Sequence, residues 1–244
     1  MPSLPSSTRA CLFDLDGVLT DTAALHALAW KEAFDAYLED APGAPDSAVD
    51  ATSPYRPFDS GFDYRMFVDG KRRADGVAAF FASRNLDVPI ADQQQVATYK
   101  TTMFEHLVQS RGLDVYPDVI GYLEYLREAK IHRAVVSASE HCRALVEAAG
   151  IASYFETRVD GQRSAAEGLA GKPAPDTYLA AATDLHVLPA DCAIFEDAVA
   201  GLEAGRAGGF GTVVGVNRKG FHPQPFLDAG ATVVVSSFDE LQDD

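Results

Sequence analysis

The feature that most constrains this chain is a broken rhythm. A short apolar run at residues 10–13 is followed, from residue 22 to residue 113, by sequence with no strand-like pattern. Only then does a regular alternation of apolar runs and helical patterns begin. The candidate strands are residues 10–13, 134–136, 157–159, 193–195, 212–216 and 232–235. Their near-continuous apolar character predicts burial on both faces, as in a parallel sheet. Helical patterns at 116–129, 140–149 and 175–185 lie between them, with Pro175 at the start of the last and Gly150 after the second. Such an alternation predicts an α/β fold, a doubly wound Rossmann-like parallel sheet. The interruption carries helical patterns at 23–38, 75–84 and 91–110, and residues 41–61, rich in Pro, Ala, Ser, Asp and Gly, read as a long or partly ordered loop. The expected organisation is a catalytic core of residues 1–20 and 114–244, with an all-helical domain, 21–113, inserted after its first strand.

Charge and cysteine usage narrow the function classes. A net charge of −16 disfavours binding to nucleic acid or to an anionic membrane surface, but a local pocket can oppose the global sign. Cys11, Cys142 and Cys192 lie far apart with no CxxC pair, and an odd count closes no disulfide framework. The first ten residues hold no apolar signal core, and no segment approaches the roughly 20 apolar residues of a membrane span. A reduced, cytoplasmic protein is expected.

The chemistry concentrates where apolar runs end. Asp14 and Asp16 close the first run ahead of Gly17. Side chains two apart in extended structure share a face, and in open α/β sheets ligands bind at the carboxyl ends of strands. Asp-Gly is also an ordinary turn pair, so this pair alone leaves a simple strand end open. A second acidic pair, Glu196-Asp197, closes the fourth run. If the two runs are neighbours, four carboxylates meet at one edge, a costly arrangement without a cation. Oxygen donors favour a hard ion such as Mg²⁺.

Two further segments complete the pattern. The run AVVSAS (134–139) ends in hydroxyls where a helical pattern begins, which suits a phosphate; Ser139 is equally placed to cap that helix. In GKPAPD (171–176), Lys172 precedes a proline-started helix and is available as a phosphate counter-charge.

Taken together, FDLDGVLTDT (13–22), VVSAS (135–139), GKPAPD and FEDAVAG (195–201) resemble, in order and spacing, the motifs of the haloacid dehalogenase superfamily of phosphoryl-transfer enzymes, and within it the β-phosphoglucomutase-like family. The resemblance implies that Asp14 is the nucleophile that becomes a phosphoaspartate and that Asp16 is the general acid/base. It implies that Ser137 and Lys172 hold the transferring phosphoryl group. Asp14, Glu196, Asp197 and the main-chain carbonyl of Asp16 would bind Mg²⁺.

The inserted domain then resembles the family's cap, which closes over the site and excludes water. DTAALHALAWK (21–31) is similar to the hinge and first cap helix, with Thr22 marking the hinge and His26 a substrate-side histidine. FVDGKRRADGV (67–77) is similar to the cap's specificity loop, with Gly70 in its glycine position and Arg73 as the contact to a distal phosphate; Lys71 and Arg72 compete for that role. Lys100 falls near a cap lysine. There are departures: Glu140-His141 stands where the family has a Lys-Asn type of pair after Ser139, Asp69 stands where Lys is common, and the 41–61 insertion has no counterpart in compact mutases. Ser139 is retained, and His141 can still donate a hydrogen bond to substrate.

The expected activity is therefore conversion of β-D-glucose 1-phosphate to glucose 6-phosphate through the 1,6-bisphosphate by a monomeric, Mg²⁺-dependent phosphomutase acting on a small phosphorylated sugar. The alternative is a small-molecule phosphatase, in which water replaces the sugar as acceptor. A more remote alternative is a non-catalytic module that binds a phosphorylated ligand.

Overall fold

The computed structural model describes residues 3–45, 50 and 52–242. It falls into two compact units, Met1–Asp21 with Leu113–Asp244, and Thr22–Gly112. Parts of the expected 41–61 loop, residues 46–49 and 51, lie outside the described residues, as do the first two residues of the chain.

The first unit is built on a six-stranded, all-parallel sheet in the order β3-β2-β1-β4-β5-β6. The strands are β1 (Ala10–Phe13), β2 (His132–Val136), β3 (Thr157–Val159), β4 (Cys192–Glu196), β5 (Thr212–Val216) and β6 (Val233–Val235). Each predicted run is a strand. β2 starts two residues earlier than expected, because His132 and Arg133 still pair with Ala10 and Cys11. β1, β4 and β5 are buried along their whole length, which is why they read as continuous apolar runs rather than alternating ones.

Alternate side chains of these strands feed two cores. On one face Leu12, Val136, Ile194 and Val213 pack with Tyr178, Leu202 and Phe226. On the other Phe13 stacks on Phe195 at 4.4 Å, with Tyr122 and Phe238 around them. The helices of this unit are α4 (Pro117–Glu128), α5 (Cys142–Ala148), α6 (Gly161–Glu167), α7 (Asp176–Asp184), α8 (Val199–Ala207) and α9 (Gln224–Ala229). α6, α8 and α9 were not foreseen; α6 and α9 each span fewer than two full turns, too few residues for a 3.6-residue period to register, and α8 carries Gly201 and Gly205 inside its nine residues, which weakens a helical reading. The helix expected from residue 140 begins at Cys142. Ser139 is not its cap: it lies two residues before the cap position, His141, whose N–H its hydroxyl accepts at 3.1 Å.

The second unit holds α1 (Ala23–Asp40), α2 (Arg73–Ser83) and α3 (Ile90–Arg111), plus a π-helical turn over Tyr64–Val68. Among the described residues it contains no strand. Its core is aromatic: Trp30, Phe34, Phe58, Phe80 and Phe81. The described part of the 41–61 segment is tied down rather than loose. The Asp35 carboxylate accepts the Phe58 N–H at 2.6 Å, and Lys31 donates to the Phe58 carbonyl at 3.2 Å. Beside it, fully buried Asp63 accepts from Arg56 at 3.1 Å and from Arg84 at 2.7 Å.

Candidate active site

Strand order explains why the acids converge. β1 is flanked by β2 on one side and β4 on the other; the chain leaves β1 toward β2 and leaves β4 the opposite way toward β5, the arrangement that opens a crevice at the carboxyl ends. Phe13 lies opposite Phe195, and the Asp14 N–H donates to the Phe195 carbonyl at 2.9 Å. Asp14 and Glu196 therefore leave adjacent strands at the same height. Carboxylate oxygens of Asp14, Glu196 and Asp197 lie within 4.8 Å of one another.

Asp14 and Glu196 are bridged by one cation. Lys172, itself buried, reaches an oxygen of each at 2.5 Å. It comes from a loop with a cis Lys172–Pro173 peptide, held by the Ala170 N–H donating to the Asp176 carboxylate at 3.1 Å. Burial opposes the ammonium charge, but the Asp14 and Glu196 carboxylates outweigh it and raise Lys172 above its ordinary value. Burial also pushes the Asp14 carboxyl well above the ordinary carboxylate range; Lys172 opposes that shift, and the Glu196 and Asp16 charges add to it.

The donor set fits a hard divalent cation. Three carboxylates converge, and two glycines keep space around them. A Cβ at Gly17 would overlap the Asp197 carboxylate, and Gly17 has φ +85°, so it serves both room and turn. A Cβ at Gly201 in α8 would overlap the Glu196 carboxylate. Glu196 is further fixed by the Tyr178 hydroxyl, which donates to Oε1 at 2.7 Å, and by the Ala198 N–H, which donates to Oε2 at 3.2 Å.

Asp16 opens the tight turn that follows β1. The Leu19 and Thr20 N–H groups both donate to the Leu15 carbonyl at 3.0 Å, and the Gly17 N–H donates to the Thr20 carbonyl at 2.8 Å. Asp16 is half-buried, less enclosed than Asp14. Across the β1–β2 pair, Ser137 follows Val136; its N–H donates to the Val159 carbonyl at 3.0 Å, and its hydroxyl accepts the Ser139 N–H at 3.1 Å. Ser139 and His141 are half-buried, and Glu140 between them is exposed. This loop rests on the start of α6: the Gly161 N–H donates to the Ser139 carbonyl at 3.1 Å, and a Cβ at Gly161 would lie 2.6 Å from the Ala138 carbonyl oxygen.

Among the cap residues of the expected site, Thr22 is buried and its carbonyl accepts the His26 N–H at 2.9 Å. His26 stacks on Phe104 at 3.9 Å, and Lys100 Nζ lies 2.7 Å from its Nδ1. Lys100, whose position was only approximate from sequence, is buried over the Trp30 and Phe104 rings at 5.2 and 4.8 Å. Gly70 has φ +69°. Of the three competing bases, Arg72 pairs with Asp75 at 2.6 Å, Lys71 reaches the Met66 carbonyl at 3.5 Å, and Arg73 donates to the Thr101 hydroxyl at 2.6 Å. The three cysteines are free and buried; burial raises the Cys142 thiol, which removes it as a nucleophile.

The residues that sequence reasoning missed are Tyr178 and Gly161. Both sit beside motifs, Tyr178 two residues past GKPAPD and Gly161 just after the third strand, but each acts through a contact that only the fold creates.

A family model described as haloacid dehalogenase-like hydrolase matches residues 8–209. A Mycobacterium bovis protein described as beta-phosphoglucomutase is 42% identical over 98% of this chain and 93% of its own. One from Bacillus subtilis with the same description is 30% identical over 96% and 91%. A hydrolase structure from Pseudomonas syringae superposes with a TM-score of 0.78 at 20% identity, covering 97% of this chain and 100% of the other. No helix among the described residues is long and apolar enough to cross a membrane.

Proposed function

Because the chain belongs to the haloacid dehalogenase-like hydrolase family, in its β-phosphoglucomutase-like branch, we propose that it interconverts β-D-glucose 1-phosphate and glucose 6-phosphate through the 1,6-bisphosphate. The observation that carries the reading is the Lys172 bridge between Asp14 and Glu196 at the mouth of the sheet, with Asp197 beside them. A carboxylate nucleophile, a buried cation and a divalent-metal donor set are what covalent phosphoryl transfer requires.

Asp14, Glu196, Asp197 and the Asp16 main-chain carbonyl would hold Mg²⁺. When bound, the ion neutralises charge on the transferring phosphoryl oxygens. Asp14 carries the phosphoryl group as an acyl phosphate. In one half-reaction Asp16 accepts the proton of the sugar 6-hydroxyl as that oxygen bonds to phosphorus and the Asp14–phosphorus bond breaks, giving the bisphosphate. In the other, Asp14 attacks the 1-phosphate, the bond from phosphorus to O1 breaks, and Asp16 returns the proton to O1, releasing glucose 6-phosphate. Lys172 and Ser137 hold phosphoryl oxygens throughout. His26, Lys100, Gly70 and Arg73 are assigned to the sugar and its second phosphate, and Ser139 and His141 to the substrate loop. Cys142 takes no part.

One observation favours hydrolysis as a second reading: exposed Glu140 places a negative charge beside Ser139 in that loop, where it repels a sugar phosphate. The test supplies β-D-glucose 1-phosphate, Mg²⁺ and a trace of the bisphosphate, and follows glucose 6-phosphate and free phosphate together. Glucose 6-phosphate well ahead of phosphate is expected. Phosphate release without isomerisation would replace the mutase with a phosphatase.

A further inference from the structure

We infer that Arg218 is a positioning residue for the turn that carries Asp16. The inference rests on the reading of Asp16 as the acid/base. Arg218 lies two residues past the end of β5, outside every motif discussed above. Its guanidinium donates to the Asp118 carboxylate at 2.5 Å and to the Ser236 carbonyl at 3.4 Å through Nη1, and to the Val18 carbonyl at 3.0 Å through Nη2. The Tyr116 and Phe238 rings flank it at 4.4 and 4.6 Å. Its side chain is 9% exposed and that of Asp118 is 6% exposed.

Asp118 is itself held from two further directions. It accepts from the Ser237 hydroxyl at 2.9 Å, from the Phe238 N–H at 2.5 Å and, through the ion pair, from Arg218. Three distant stretches of chain, around residues 118, 218 and 237, thus meet at the Asp118 carboxylate, and of these Arg218 reaches on to the carbonyl of Val18.

The placement of that carbonyl matters. The turn after β1 closes its own hydrogen bonds on the Leu15 and Thr20 carbonyls. The Val18 carbonyl, at the turn's outer bend, is taken by Arg218 from a remote segment. The strand fixes one side of Asp16 through Asp14. The turn fixes the other, and Arg218 fixes the turn. The same guanidinium lies against Tyr116, whose hydroxyl donates to Asp21 at 3.0 Å and whose N–H donates to the Leu19 carbonyl at 3.2 Å. One buried cation therefore braces the segment from Val18 to Asp21 on both sides. Buried ion pairs contribute little to stability against an apolar replacement, and a planar fork is the group suited to holding a carboxylate and a carbonyl in fixed relation. That argues for a geometric role.

The test compares wild type with Arg218→Lys and Arg218→Met, in full-length protein with Mg²⁺. Amide hydrogen exchange is read in the peptide covering residues 14–22 and in peptides covering β4 and β5. Turnover is read on β-D-glucose 1-phosphate with a trace of the bisphosphate. Lysine can restore the pair with Asp118 but cannot fork to Val18. The expected result is exchange roughly 3- to 10-fold faster in the turn of both variants, the worth of one hydrogen bond, with β4 and β5 unchanged in the lysine variant. kcat should fall roughly 10- to 100-fold, as for a misplaced acid/base, with KM within about twofold. The lysine variant should keep most of its thermal stability without recovering kcat. Wild-type kcat in the lysine variant, exchange that rises uniformly through the sheet, or faster exchange in the turn with kcat unchanged would each overturn the inference. Failure of the mutase reading is visible separately, in the wild type, as phosphate release without glucose 6-phosphate; kcat of the variants is then compared on that release.

Discussion

Replacing Gly201 with alanine sets two opposing effects against each other. In a helix interior, Gly→Ala is stabilising by about 0.8–1 kcal/mol, and Gly201 lies inside α8. The added Cβ, however, would occupy the place of the Glu196 carboxylate. Glu196 is fully buried and accepts three hydrogen bonds, from Lys172, Tyr178 and the Ala198 N–H. It cannot swing away without giving up most of them. Hydrogen bonds to a charged group are worth about 1.5–3 kcal/mol each, so losing two outweighs the helix gain and leaves a net loss of about 2–5 kcal/mol. For a unit of this size that is about 2–4 °C in Tm per kcal/mol.

The displaced carboxylate also leaves the three-acid cluster, so Mg²⁺ should no longer raise the Tm of the variant, whereas it should raise that of the wild type. Thermal unfolding with and without Mg²⁺, followed by tryptophan-independent far-UV dichroism, reads both quantities. An alanine variant at least as stable as wild type, with an unchanged Mg²⁺ response, would refute the reasoning: it would mean that Glu196 has another place to go at little cost.

Other outcomes follow from the same geometry. Lys172→Gln removes the cation that bridges Asp14 and Glu196 and should lower kcat by about 10²-fold or more, measured as the rate of glucose 6-phosphate formation. Asp63→Asn leaves Arg84 buried with its charge uncompensated and should cost about 3–5 kcal/mol; hydrogen exchange should localise the loss to Thr22–Gly112. Arg163 hydrogen bonds hold the Asp184 carboxyl below its ordinary value. The unfolded chain therefore binds this proton more readily, and the stability Asp184 contributes is present above the ordinary carboxylate pKa and lost as pH falls through the depressed one. Urea unfolding of wild type and Asp184→Asn at descending pH should show the gap between them closing in that acid range and constant at neutral pH.

Legibility in the sequence followed the range of the interaction. The six strands could be read because burial on both faces makes them uniformly apolar over their length, and β1, β3 and β5 match their predicted spans. The helical interruption was equally clear. α6 and α9 were not, being too short for a period. The acids, Ser137 and Lys172 stood out because they end apolar runs or precede a helix. Tyr178 and Arg218 did not. A tyrosine on a buried helix face looks like core, and an arginine after a strand looks like surface. Each becomes specific only when the sheet places it beside Glu196 or Val18. The placement of Lys100 against His26 was beyond reach for the same reason, since seventy-four residues separate them.

The central position of β1 has a consequence for the order of assembly. Ala10 pairs with His132 on one side and with Cys192 on the other, so of the six strands β1 waits through the longest stretch of chain before both its neighbours exist. Contacts within Thr22–Gly112 span far shorter stretches of chain, and loop-closure entropy favours their earlier formation. During synthesis the helical unit can be complete while Ala10–Phe13 has no partner until residues 132–136 are made, and one of its edges stays open until the chain reaches residue 196. Until then Asp14 and Glu196 cannot share Lys172, and the nascent protein carries an open strand edge of the kind that chaperones shield.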